Sequence, residues 1–94
     1  MTSPESIIAE VALITGVPVS AITGDRRTSR ICWARFLTYA ALRQAFDWWS
    51  LPDIAAAVNR VHHGTVINGL KRFHQLSGSN PAFQSLAHEL QLIP

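Results

Sequence analysis

Helix-start signals recur along this chain, and nothing between them reads as a strand. Ser3-Pro4-Glu5 sets a capping hydroxyl, a first-turn proline and a carboxylate at the positive end of a helix. Ser50-Leu51-Pro52-Asp53 repeats the device, with an acidic residue three positions on that can reach back to the cap's own amide. Asn80-Pro81 marks another start, and Thr28 or Ser29 can cap one more. Apolar and polar residues alternate for no more than four or five positions between turn signals, too little for a half-buried strand. The fold class expected is all-α, a small bundle of about six helices.

The apolar spacing fills in the elements. Ile7, Ile8, Val11 and Ile14 share one face of a first helix that Gly16 closes. A short turn over Val17 to Ile22 is expected to drop Val19 and Ile22 into the core before Gly24. A long helix from about Arg30 to Phe46 is apolar on nearly every side, through Ile31, Ala34, Leu37, Ala41 and Phe46, the profile of a central buried helix. A short helix follows to about Val58, with Ile54 and Val58 inward; Asn59-Arg60-Val61-His62 is the turn. From His63 or Gly64 to Leu76, Val66, Leu70 and Phe73 face the core, while Thr65, Asn68 and Arg72, with Lys71 beside them, form another face. Ser77-Gly78-Ser79 reads as a loop before a last helix whose Phe83, Leu86 and Leu90 return to the core. A short helix and a long one across a tight turn describe a helix-turn-helix, although a pair used purely for packing has the same periodicity.

With 94 residues the chain is expected to be one domain, 1–94, since units split only at roughly 150 residues or more. Hydrophobic residues at 48% against 15% charged exclude a disordered segment. The uncharged stretch Val11 to Gly24 is too short for a membrane span, and Met1-Thr-Ser-Pro-Glu lacks the basic start of a secretion signal. One cysteine, Cys32, cannot form an internal disulfide, which fits a reducing cytoplasm. The net charge of +2 hides a partition. Residues 1–25 hold Glu5, Glu10 and Asp25 with no Lys or Arg, and residues 73–94 hold Glu89 alone. Between them lie all eight basic residues against Asp47 and Asp53, a net +6. Such a concentration is the footprint of a polyanion-binding face, or of a surface kept soluble by arginine.

Two segments can carry nucleic-acid chemistry. Thr65, Asn68, Lys71 and Arg72 suit base edges or phosphates, as do His62 and His63 before them. Asp25-Arg26-Arg27-Thr28-Ser29-Arg30 is a basic loop running into a helix start, where an arginine can enter a minor groove and free amides can take a phosphate. Catalysis has weaker material. His62, His63, His74 and His88 lack metal-ligand spacing, and Cys32 at the start of a buried helix is better read as a small hydrophobe than as a nucleophile. No glycine is followed by lysine, so the phosphate-cradling Gly-Lys-Ser/Thr loop is absent; neither nucleotide nor other cofactor is expected. The rival to DNA binding is a protein-interaction or self-association module, because only one of the adjacent Trp48 and Trp49 readily faces the core.

The order Ile8 to Gly16, Val19-Ser-Ala-Ile22, Arg26-Arg-Thr-Ser-Arg30, Ala34-Arg35, Ser50-Leu-Pro-Asp-Ile54, His63-Gly-Thr-Val66 and Lys71-Arg72 resembles the C-terminal DNA-binding domain of the bacterial replication initiator DnaA. The resemblance covers nearly the whole chain and implies a Trp repressor-like helix-turn-helix that binds double-stranded DNA in the cytoplasm, at the nucleoid, in connection with replication initiation or its regulation. It implies that Arg27 inserts into the minor groove, that Arg35 holds a phosphate, and that Pro52 sits near the major groove. The family's recognition helix opens Arg-Asp-His-Thr-Thr-Val; this chain reads Val61-His62-His63-Gly64-Thr65-Val66. His62 thus replaces an Asp that reads cytosine, Gly64 replaces a Thr that meets a thymine methyl, and the Arg is displaced to Arg60, where the family usually has Gly. The family's DNA box is therefore not assumed as the target. Thr65, Lys71 and Arg72 remain as phosphate-holding residues.

Overall fold

The computed structural model describes residues 2–94. Helix α1 (Pro4–Thr15) begins in a reciprocal cap: the Ser3 hydroxyl accepts from the Ser6 amide at 3.1 Å, and the Ser6 hydroxyl accepts from the Ser3 amide at 3.0 Å. It ends at Gly16, whose φ of 71° is the left-handed value that glycine adopts without a Cβ penalty. The single turn α2 (Val19–Ile22) buries Ile22 but leaves Val19 exposed, against expectation. Val17, just before Pro18, takes the inward place instead and is buried.

Helix α3 (Ser29–Ala45), capped by the Thr28 hydroxyl, runs through the centre with Ile31, Ala34, Leu37, Thr38 and Leu42 buried. The Thr38 hydroxyl is satisfied by donating to the Ala34 carbonyl at 2.7 Å. Helix α4 (Leu51–Ala57) opens on the expected box: the Ser50 amide donates to Asp53 Oδ2 at 2.9 Å, and the Asp53 amide to the Ser50 hydroxyl at 3.3 Å. Ile54 and Val58 are buried. A tight turn leads into α5 (Gly64–Ser79), which completes the helix-turn-helix.

Ser77, Gly78 and Ser79 are helical rather than a loop. Asn80 does both jobs at this junction. Its amide closes α5 on the Leu76 carbonyl at 2.9 Å, and its Oδ1 accepts the Phe83 amide at 3.1 Å to start α6 (Pro81–Glu89). Six helices thus form from the described residues, and the fold is all-α. Helix α3 packs between α1 and α5, and α6 closes the core against α5 and α1. Phe83 is fully buried, edge-on to both Trp33 and Phe73. The contact of α3 with α5 depends on Gly69: a Cβ there would lie 2.4 Å from the buried Tyr39 ring, so the backbone of α5 rests directly on that ring.

Candidate nucleic-acid interface

The basic loop between α2 and α3 is held from beneath. Gly24 packs so closely that an added Cβ would lie 2.7 Å from the Ser20 carbonyl oxygen. The carbonyls of Ala21, Ile22 and Gly24 all accept from one side chain of α3. Arg35 Nε donates to Ile22 O at 2.9 Å, and its Nη2 to Ala21 O at 3.0 Å and to Gly24 O. A second guanidinium, from Arg60 in the helix-turn-helix turn, donates to the same Gly24 oxygen, and its Nη1 lies 3.9 Å from Asp25 Oδ1. Thus Arg26 and Arg27 ride exposed on a loop whose inner edge is fixed.

Facing the loop across a cleft of about 490 Å³ is the first half of α5, which contributes Thr65, Asn68, Gly69 and Arg72. Arg27, Arg35 and Arg60 line the other side, with Cys32, Phe36 and Tyr39 at the floor. Four guanidiniums meet one carboxylate, Asp25, among the described lining residues. Burial first, and then the positive charges of Arg60 and Arg27, push the pKa of Arg35 below its ordinary value. The guanidinium nonetheless stays protonated at neutral pH. An anion entering this cleft would relieve the repulsion.

The expected site residues separate into groups. Arg27, Thr65, Asn68 and Arg72 come together in the cleft; Arg26, His62, His63, Gly64 and Lys71 are exposed. The Thr65 hydroxyl donates to the His62 carbonyl at 2.9 Å, which secures the helix start, and Arg72 Nη1 donates to Gln75 Oε1 at 2.8 Å. Nothing lies within 4 Å of the position a Gly64 Cβ would take, so its small size meets no packing demand. Pro52 is exposed at the first turn of α4, outside the cleft lining.

Three arginines have backbone partners within the protein. Arg35 is 6% exposed and spends its Nε and Nη2 donors on backbone carbonyls, so it supports the loop from beneath. Arg60 likewise turns inward, with its side chain 18% exposed. Arg30 lies on the far side of α3 from the cleft, where its Nη2 donates to the Thr15 carbonyl at the C-terminal end of α1, at 3.1 Å. Positive charge is favourable at that negative helix end. Residues that sequence reasoning missed are Asn59, Gly24 and Gly69. A mid-helix glycine such as Gly69 is a packing signal in its own right, and an asparagine just past a helix is a signal for a left-handed cap.

A family model described as the bacterial dnaA protein helix-turn-helix matches residues 4–72. The chain belongs to this family. The DnaA match begins at the first residue of α1 and ends inside α5, so it takes in the loop, both helices of the motif through Arg72, and the whole cleft. It leaves α6 outside, although α6 shares the core through Phe83 and Ala87, as does Leu90 at its C-cap. DnaA C-terminal helix-turn-helix domains are DNA-binding domains, and their partner is the double helix. Among the described residues no helix is long and apolar enough to cross a membrane.

Proposed function

We propose that this chain binds double-stranded DNA in a sequence-dependent manner, with α5 in the major groove and the Arg26–Arg27 loop against the adjacent backbone and minor groove. The observation that carries the reading is the cleft itself, in which a fixed basic loop faces Thr65, Asn68 and Arg72 across a surplus of positive charge. A major groove about 12 Å wide admits one helix, and α5 offers polar side chains there. His62, His63, Gly64 and Asn68 are the base-reading candidates; Arg26, Arg27, Thr65, Lys71 and Arg72 hold the backbone, with Pro52 beside the groove. The protein acts at the nucleoid by occupying DNA, in replication initiation or its regulation, and needs no nucleotide of its own.

Titration of duplex DNA at several salt concentrations tests this. Affinity should fall steeply with salt, and Lys71→Ala should weaken every sequence and lower the slope of log K against log salt by about 0.9. His62→Ala or Asn68→Ala should instead change which sequence is preferred, by about 1–3 kcal/mol per lost base contact. No duplex binding at low salt would refute the proposal.

One observation favours a second reading. Trp49 stacks on Phe46 with ring centroids 4.5 Å apart, whereas Trp48 remains 73% exposed. An exposed Trp suits an interface anchor, for a partner helix or a second copy. If the occupant is a second copy, Trp48→Ala should lower the apparent mass in solution, and an unchanged mass removes self-association.

A further inference from the structure

The helix-turn-helix turn does more than join two helices. Helix α4 ends with Asn59 in the left-handed conformation, φ 58°. The Asn59 amide donates to Ala56 O at 3.1 Å and the Arg60 amide to Ala55 O at 2.8 Å, the paired bonds of a Schellman cap. This reversal directs both side chains to the basic loop. Asn59 Nδ2 donates to Thr23 O at 3.4 Å, while Arg60 donates to Gly24 O and lies beside Asp25. Consecutive residues of the turn therefore bond to consecutive residues of a loop 36 positions away in the chain.

We propose that Asn59 and Arg60 tether the basic loop to the recognition helix, so that the loop and α5 meet DNA at one fixed separation. Arg60 is on this view a positioning residue and not a DNA contact. The inference rests on the DNA-binding reading above and adds how its two contact elements are coupled. Arg35 secures the loop to the core, but it belongs to α3 and does not bridge to the turn. The side chains of Asn59 and Arg60 supply that bridge. Both partners of the tether are stiff: Gly24 is packed against the Ser20 carbonyl, and the turn is closed by the two bonds of its cap. Rigid presentation of two elements makes binding sensitive to the spacing of the groove segments they meet, because a mismatch cannot be absorbed by the loop.

The test uses the full chain and a duplex selected from a random pool by the wild-type protein, with and without one base pair inserted between the segments protected by the loop and by α5. Wild type should lose tenfold or more on the insertion. Arg60→Ala should bind the two duplexes within about threefold of each other, and Arg60→Lys, which keeps a donor for Gly24, should restore the discrimination. Equal weakening of both duplexes by Arg60→Ala would overturn the proposal, whether the salt slope falls by about 0.9, as for a phosphate contact, or stays fixed, as for a merely structural role. A second measurement needs no DNA. Backbone order parameters of Asp25 to Arg27 should fall from about 0.85 towards 0.6 in Arg60→Ala and stay unchanged in Lys71→Ala; unchanged values in Arg60→Ala overturn the tether. If wild type binds no duplex, the DNA-binding reading fails, and the order parameters still decide whether the tether exists.

Discussion

Arg35→Ala separates a scaffold arginine from a phosphate contact. In the folded chain Arg35 is almost wholly buried and donates to Ile22 O, Ala21 O and Gly24 O. Removing it affects the three acceptors unequally. Gly24 O keeps Arg60, and Ala21 O keeps the Gly24 amide at 3.3 Å. Ile22 O has no other donor among the described residues. Charged hydrogen bonds contribute about 1.5–3 kcal/mol each, and an orphaned buried carbonyl costs about 1–3 kcal/mol. Losing the buried charge and its repulsion with Arg60 offsets part of this. A net destabilisation of about 2–4 kcal/mol is expected, a large part of the roughly 5–15 kcal/mol that holds a small domain. At about 4–8 °C per kcal/mol, Tm should fall by at least about 8 °C. Thermal unfolding by circular dichroism measures this, with a salt series on residual DNA binding well below Tm. The difference from wild type should be flat between about pH 6 and 9, because the guanidinium, though depressed in pKa, keeps its proton in folded and unfolded chains alike. A variant with unchanged Tm whose salt slope drops by about 0.9 would refute the scaffold role and restore Arg35 to the phosphate.

Gly69→Ala should lower Tm, since forcing a methyl against the buried Tyr39 ring costs about 1–3 kcal/mol, more than the roughly 1 kcal/mol that Ala gains over Gly in a helix. A raised Tm would mean that α3 and α5 separate without penalty. Ser50→Ala removes the acceptor for the Asp53 amide and should cost about 1 kcal/mol, read by urea denaturation at unchanged m. An unaltered midpoint would show that Asp53 alone sustains the start of α4.

What was legible in the sequence is what local chemistry decides. The caps at Ser3, Ser50 and Asn80 need only a side chain and the amide three residues on, so the helix starts could be read directly. Ser77-Gly78-Ser79 misled because its turn-prone composition was overridden by Asn80, which lets α5 and α6 meet at a single residue. Val19 misled because a one-turn helix gives almost no periodicity to read. Of the cleft, the cations could be counted but not sorted. Arg30 and Arg35 are five residues apart on α3, about 140° around the helix, so they leave it on different faces. That much the helical period already contained. The inward course of Arg60 was different, because it follows from the left-handed Asn59 and from a loop 36 residues away.

The inward course of Arg35 and Arg60 lowers the expected strength of the salt dependence. Seven basic residues were candidates for DNA: Arg26, Arg27, Arg30, Arg35, Arg60, Lys71 and Arg72. Two of them, Arg35 and Arg60, are turned inward onto backbone carbonyls of the loop. Each phosphate neutralised on B-DNA contributes about −0.9 to the slope of log K against log salt, so seven contacts would give about −6.3 and the five exposed cations, Arg26, Arg27, Arg30, Lys71 and Arg72, about −4.5. The two values are far enough apart for a titration between about 50 and 200 mM salt to distinguish them. A slope near −4.5 means that Arg35 and Arg60 stay with the loop carbonyls while DNA is bound. A slope near −6 would require Arg35 and Arg60 to leave those oxygens for phosphates, and the loop would then have to rearrange on binding instead of arriving pre-shaped.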